Sequence, residues 1–235
     1  MDKYTENQKT TYILGISLIV EALLNKPEEV KTVYLSSKAI KNKELAKLTE
    51  LCNTYNIEVI YDDNIIDKIS LKENCYGIGV INKYEMKLKT NKHLVLYGFK
   101  DYGELGTIVR SAVSFDFSDI VLIQSPIDIY NPKVIRASMG SFFHSNIKKY
   151  NTLNDYLGEY KYNLYPFTGE ENRELKSIKI KEPYSIIIPS KYHDLDEKFI
   201  ESYYISNKTN DVALTSLAAI VFNYFYHQNA NDRNI

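Results

Sequence analysis

The chain lacks the features that would place a protein in a membrane, in an oxidising compartment or along the length of a nucleic acid. No apolar run reaches the roughly eighteen residues that a membrane-spanning helix requires. The first residues, MDKYTENQKTTY, are polar and lack the basic-then-apolar order of a secretion signal, so a cytoplasmic location is expected. Two cysteines, Cys52 and Cys75, stand far apart with no CxxC or Cys/His ligand spacing. That excludes a disulfide framework and gives no reason to expect a metal, and both read as small buried hydrophobes. Basic charge in bulk is also missing: the formal net charge of -1 argues against coating nucleic acid by electrostatics alone. Neither a GxGxxG nor a GxxxxGKS/T loop follows the first strand, which leaves an unrelated nucleotide-binding α/β protein without its phosphate cradle.

What the chain does have is enough apolar material for a sizeable core, 44% of 235 residues, and a rhythm of short strands and helices. Apolar residues from Tyr12 to Leu24 recur at helical spacing. Thr32 to Leu35, Ile57 to Tyr61 and Tyr76 to Ile81 read as strands around a helix from Lys43 to Tyr55, a compact α/β unit over residues 1–82. Residues 83–92 are highly charged without an apolar face and read as a linker. Beyond it, from residue 93 to 235, strands are expected at His93 to Tyr97, Ile120 to Ile123, Tyr162 to Phe167 and Ser185 to Ile188. Helices are expected at Gly106 to Phe115, Pro132 to Ala137 and Asp211 to Tyr226. This alternation predicts a parallel sheet covered on both faces, with a site at the carboxyl ends of its strands.

Two stretches carry potential chemistry. In GFKDYGELGTIVRSA, Gly103 and Gly106 allow a tight turn into a helix, and Arg110 follows one helical turn after Gly106. Such a turn serves either as an ordinary strand-to-helix connection or as an anion site with a fixed positive charge beside it. In NPKVIRASMGSFFH, Asn131 is a natural cap and Pro132 suits the first helical turn, while Lys133 and Arg136 fall on one face. Residues 131–150 hold Lys133, Arg136, Lys148 and Lys149 and no acid, so they form either a solvated face or a local RNA contact. Phe142 and Phe143 read as core, and His144 and His193 as loop histidines rather than bases.

Together these stretches resemble the first motifs of the SpoU/TrmH methyltransferases, D-x-x-N-x-G-x-x-x-R and N-P-x-x-x-R-x-S-x-G. They stand here as Asp101, Glu104, Gly106 and Arg110, and as Asn131, Pro132, Arg136, Ser138 and Gly140. The first eighty residues are similar to that family's L30e-like substrate-binding domain. The resemblance implies an α/β chain with a parallel-sheet C-terminal domain closed by a trefoil knot. It implies a homodimer that transfers methyl from S-adenosylmethionine to a ribose 2'-hydroxyl of ribosomal or transfer RNA. Arg110 would then be the catalytic, hydroxyl-orienting group, and Asn131, Lys133, Arg136, Ser138 and Glu104 would lie along the RNA. The family's late G-N-E-G-x-G, I-P-M and S-L-N segments are replaced here by Pro189 to Asp194, by Ile205-Ser206-Asn207 and by Asp211-Val212-Ala213. Pro189, Ile205, Val212 and Leu214 would remain as apolar walls for the cofactor. A non-catalytic relative that keeps the RNA-binding face is the alternative, because the lost glutamate and asparagine partners are worth about 1.5 to 3 kcal/mol each in a dry site.

Overall fold

A computed structural model describes residues 2–70, 75–167, 173–190, 202–206 and 212–232, the last four of these in backbone only. In chain order the elements are β1 (Thr10–Leu14), α1 (Ile16–Asn25), β2 (Val30–Leu35), α2 (Leu45–Thr54), β3 (Glu58–Tyr61), α3 (Asp63–Ile69) and β4 (Gly77–Asn82). They continue with β5 (Lys92–Tyr97), α4 (Tyr102–Ser114), β6 (Asp119–Ile123), α5 (Pro132–Ala137), β7 (Asn146–Tyr150), α6 (Leu153–Glu159) and β8 (Asn163–Pro166). The last are β9 (Arg173–Glu174), β10 (Tyr184–Pro189), β11 (Tyr203–Tyr204) and α7 (Leu214–Asp232). The chain forms two compact units. One takes Met1–Glu85 with Asp128–His144, the other Met86–Ile127 with Ser145–Ile235.

The first unit is built on a mixed sheet in the order β1-β4-β2-β3. β4 runs antiparallel to both β1 and β2, and β2 runs parallel to β3. Here the helix expected from Tyr12 to Leu24 is corrected: its first turn is strand. Thr10 to Leu14 pairs with β4 from Thr10↔Asn82 to Leu14↔Ile78, and the chain breaks at Gly15, φ 124°, before α1 begins. A short apolar run buried on both sides carries no decisive period, so only the partner strand settles its conformation. α1 then buries Ile16, Ile19, Val20 and Leu23.

Asp128–His144 is tied into this unit by side chains from its other segments. Thr11 Oγ1 donates to the Tyr130 carbonyl at 2.5 Å. The Tyr4 hydroxyl donates to Asp128, whose carboxylate also lies 3.5 Å from Lys83 Nζ. The Tyr130 hydroxyl donates to the Tyr84 carbonyl and accepts from Tyr84 N–H at 3.0 Å. Both cysteines are free and buried, and desolvation pushes the Cys52 thiol up to about 11, so it stays protonated.

The second unit is a five-stranded sheet in the order β7-β6-β5-β10-β8, parallel at every pairing. β6 is buried at every position and β5 and β10 at all but one, as a sheet covered on both faces requires. One face packs Val95, Tyr97, Val121 and Ile187 against Leu153 and Tyr156 of α6. Elsewhere in the unit the Phe117 ring meets Phe222 of α7 at 5.4 Å between centroids. Residues 83–92 are less free than their charge suggested. Met86 is buried, its sulfur accepting from Ile147 N–H at 3.1 Å, and the buried Asp119 carboxylate takes the Lys89 and Thr90 N–H groups. β7, α3 and α6 were not anticipated. The threading expected of the C-terminal segment depends on residues 191–201 and 207–211, outside the described residues.

Candidate active site

Parallel strands deliver their carboxyl ends to one edge, and in this unit local bonds shape that edge. Ser190 N–H, just past β10, donates to the Tyr97 carbonyl at 2.8 Å, and Ser190 Oγ donates to the Gly98 carbonyl at 3.1 Å. Gly98 N–H in turn reaches the Ile123 carbonyl at 2.9 Å, so β5, β6 and β10 are cross-linked where they end. From here the chain enters α4, which starts earlier than glycine spacing suggested. Asp101 is its cap, accepting from Glu104 N–H at 2.7 Å.

Leu105, Gly106, Ile108, Val109 and Ala112 form the buried face of α4. Arg110 is exposed, and it makes no ion pair among the described residues. Around it the hydroxyls of Thr107, Ser111 and Ser114 bond back to carbonyls one turn earlier. The guanidinium is therefore the one permanent positive charge on this helix. Glu104 is half-buried in the first turn, where a carboxylate is favoured by the helix dipole.

The second motif is a strutted turn within the other unit. Asn131 Oδ1 accepts from Lys133 N–H at 3.0 Å and caps α5, with Pro132 buried behind it. Lys133 is exposed and Arg136 half-exposed, and neither makes an ion pair among the described residues. Ser138, expected along the RNA, is fully buried instead. Its hydroxyl donates to the Ile135 carbonyl at 2.7 Å and accepts from Phe142 N–H at 3.2 Å, so it holds the turn. Met139 (φ 50°) and Gly140 (φ 95°) carry the chain through left-handed backbone into a short helix that buries Phe142 and Phe143. His144 sits 3.2 Å from Glu21 and 3.3 Å from Asn25, an exposed tether.

The basic run of residues 131–150 is divided between the two units. Lys133 and Arg136 fall in the first unit and Lys148 and Lys149 in the second. Both Lys148 bonds go to the Glu159 carboxylate at 2.9 Å, and Lys149 donates to the Ile127 carbonyl. Of the expected cofactor wall, Pro189, Ile205 and Val212 are half-buried and Leu214 is buried. His193 and Asp211 lie outside the described residues.

Sequence reasoning missed a cleft of about 260 Å³ inside the first unit, bordered by Lys3, Tyr4 and Tyr12, by Ile69 and Ser70, and by Asn131, Pro132 and Lys133. Its lining comes from three stretches far apart in the chain, and no periodicity links them. A second, strongly basic cleft in the other unit, about 490 Å³, is bordered by Arg173, Lys179 and Lys181.

Residues 91–191 match the model of the SpoU rRNA Methylase family. Over these residues the chain is similar to SpoU-family proteins. This SpoU segment contains Asp101, Arg110 and the whole Asn131–Gly140 turn, and so spans residues of both units. Over 206 residues the chain is 28% identical to the 23S rRNA (guanosine(2553)-2'-O)-methyltransferase RlmP of Bacillus subtilis, covering 84% of this chain and 80% of that protein. In fold it is similar to the SpoU methyltransferase AviRb from Streptomyces viridochromogenes, with a TM-score of 0.78, 14% identity and coverage of 95% of this chain and 91% of that one. It is likewise similar to the AdoMet-bound rRNA methyltransferase from Sinorhizobium meliloti, with a TM-score of 0.75, 16% identity and coverage of 92% and 86%. Among the described residues no helix is long and apolar enough to cross a membrane, and no cluster of His, Cys, Asp and Glu is placed to hold a metal.

Proposed function

We propose that the chain is an S-adenosylmethionine-dependent RNA 2'-O-ribose methyltransferase acting on ribosomal or transfer RNA as a homodimer. The observation that carries this reading is Arg110. It stands exposed and without an ion pair among the described residues, on a capped helix entered from the carboxyl end of β5, within a SpoU-family segment. A ribose 2'-hydroxyl is a poor nucleophile while protonated, so transfer needs it held in line and its developing negative charge stabilised. Arginine is always protonated and does not serve as the base. Arg110 therefore orients the hydroxyl and stabilises the alkoxide.

Pro189, Ile205, Val212 and Leu214 would hold the adenosyl group by apolar contact, and their partial burial suits such a wall. When bound, S-adenosylmethionine supplies the methyl group. Lys133, Arg136 and Asn131 would hold the RNA backbone. Two apolar side chains of α7, Ile220 and Tyr226, are 45% and 44% exposed, which supports a second copy against this helix. The replaced segments at residues 189–194 and 211–213 favour one other reading, a relative that binds RNA without transferring methyl.

Calorimetric titration of the whole chain with S-adenosylmethionine separates the two. Micromolar binding, with tritium transferred from methyl-labelled cofactor to the 2'-oxygen of a ribosomal RNA transcript, is the expected result. RNA binding with no heat of cofactor binding and no transfer would overturn catalysis and leave the second reading.

A further inference from the structure

The cleft of the first unit joins two residues already assigned to the RNA, Asn131 and Lys133, to a wall and charges from elsewhere in the chain. Three of its bordering residues, Asn131, Pro132 and Lys133, belong to the SpoU segment, and three come from the start of the chain, Lys3, Tyr4 and Tyr12. Apolar carbon lines it through Tyr12, Ile69 and Pro132, each of which is buried apart from what it shows the cleft. The Tyr4 ring meets Tyr12 edge-on at 6.4 Å between centroids. Burial, with the bond to Asp128, pushes the Tyr4 hydroxyl far up, so it stays a donor fixed to that carboxylate.

The charges around the cleft are unequal in their partners. Asp2 is paired with Lys68 at 3.0 Å, and Asp128 is held by Tyr4 and lies 3.5 Å from Lys83. These two carboxylates are thus already matched, while Glu6 also lies near enough to act on the Tyr4 hydroxyl. Lys3 and Lys133 are exposed and make no ion pair among the described residues. Asn131 uses only its side-chain oxygen to cap α5, so its amide NH2 is available to donate.

Size limits the ligand. Cavities for drug-sized molecules begin at about 300 Å³. At about 260 Å³ this cleft accommodates one aromatic ring with its anionic substituent outside, and it is too small for a whole adenosyl cofactor. Lys3 and Lys133 at the rim, without an ion pair among the described residues, and aromatic carbon within are the complement of a single unstacked nucleotide.

We infer that this cleft is an RNA subsite that takes one extruded nucleotide of the substrate strand, its base against Tyr12 and Pro132 and its flanking phosphates on Lys3 and Lys133. The inference rests on the RNA reading proposed above. It adds Lys3, Tyr4 and Tyr12 to the residues that recognise the RNA.

The test uses the whole chain and a ribosomal RNA transcript carrying scattered 4-thiouridine. Photo-crosslinking is expected to attach the transcript to the peptides containing Tyr4 or Tyr12 or to the peptide containing Lys133. In parallel, the double variant Lys3→Ala/Lys133→Ala alters only exposed side chains. It is expected to weaken binding by at least about tenfold and to reduce the slope of log affinity against log salt by about 1.4, two single-strand phosphate contacts at about 0.7 each. Lys31→Ala, another exposed cation of the same unit, is expected to do neither. If the transcript is bound and methylated normally, yet the crosslinks lie elsewhere and the salt slope is unchanged, the subsite is wrong and the functional reading stands. If the wild type neither binds nor methylates RNA, the functional reading fails and the subsite falls with it.

Discussion

Gly140 stands against Glu21. A Cβ placed on Gly140 would lie 2.9 Å from Glu21 Cγ, and Glu21 at the same time holds His144 at 3.2 Å. The motif turn is thereby keyed to α1, a helix that precedes it by more than a hundred residues.

For that reason Gly140→Ala is expected to destabilise the fold by about 1–3 kcal/mol, since an alanine at φ 95° is strained whatever the neighbouring side chain does. Gly158 is the contrast: it lies in α6, and a Cβ there would meet nothing within 4 Å. Gly158→Ala is expected to stabilise by about 0.5–1 kcal/mol. Urea denaturation of both variants checks the pair, and opposite signs are the required outcome.

Ser138→Ala removes a buried hydroxyl that donates to Ile135 and accepts from Phe142. Both backbone groups then lose their partner, at a cost of about 1–3 kcal/mol. Because Ser138 is fully buried, RNA affinity per folded molecule is expected to remain unchanged. A loss of affinity in variant that is still fully folded would return Ser138 to the RNA-contact set.

His93 makes stability depend on pH. Its ring is fully buried, with Nδ1 2.9 Å from the Tyr156 hydroxyl, while Nε2 lies 3.9 Å from Asp119, beyond hydrogen-bond distance. Burial holds its pKa below the ordinary 6.5, outweighing the opposite pull of Asp119 and of the Thr90 backbone. Below pH 6.5 the unfolded chain therefore takes up a proton that the folded chain refuses. Stability from this group is fully present above that pH and is lost as the pH falls, with a slope of at most about 1.4 kcal/mol per pH unit. His93→Gln should flatten the dependence between pH 6.5 and 5.5 in thermal melts. An equal slope in both proteins would show that other groups govern it.

Arg110→Ala should lower methyl transfer by about a hundredfold or more, as expected for removing a charge that stabilises the transition state. RNA affinity should stay near the wild-type value, because the RNA backbone is assigned to other side chains. Single-turnover transfer measured beside filter binding separates the two effects. An equal fall in both would make Arg110 an RNA-binding residue instead.

Most of the second unit was legible along the chain because buried parallel strands announce themselves as continuous apolar runs. His93 to Tyr97, Ile120 to Ile123 and Ser185 to Ile188 all became central strands. β7 was harder to see, since an edge strand written NIKKY is half polar and was taken for part of a basic patch. The first strand was misread because Thr10 to Leu14 runs directly into α1 with one glycine between them, and apolar residues continue across the junction.

Local pattern determined which residues the chain could offer: the caps Asp101 and Asn131, the proline start of α5, the exposed Arg110 and Lys133. These follow from neighbours within a few positions, where hydrogen-bond geometry and helical spacing are fixed by covalent connection. Tertiary structure alone decided that Ser138 turns inward, that Lys148 is matched by Glu159, and that Lys3, Tyr4 and Tyr12 share a cleft with Asn131 and Lys133. Such pairings join segments far apart in the chain, and the free energy that selects them comes from burying both partners together, which no stretch of sequence records by itself.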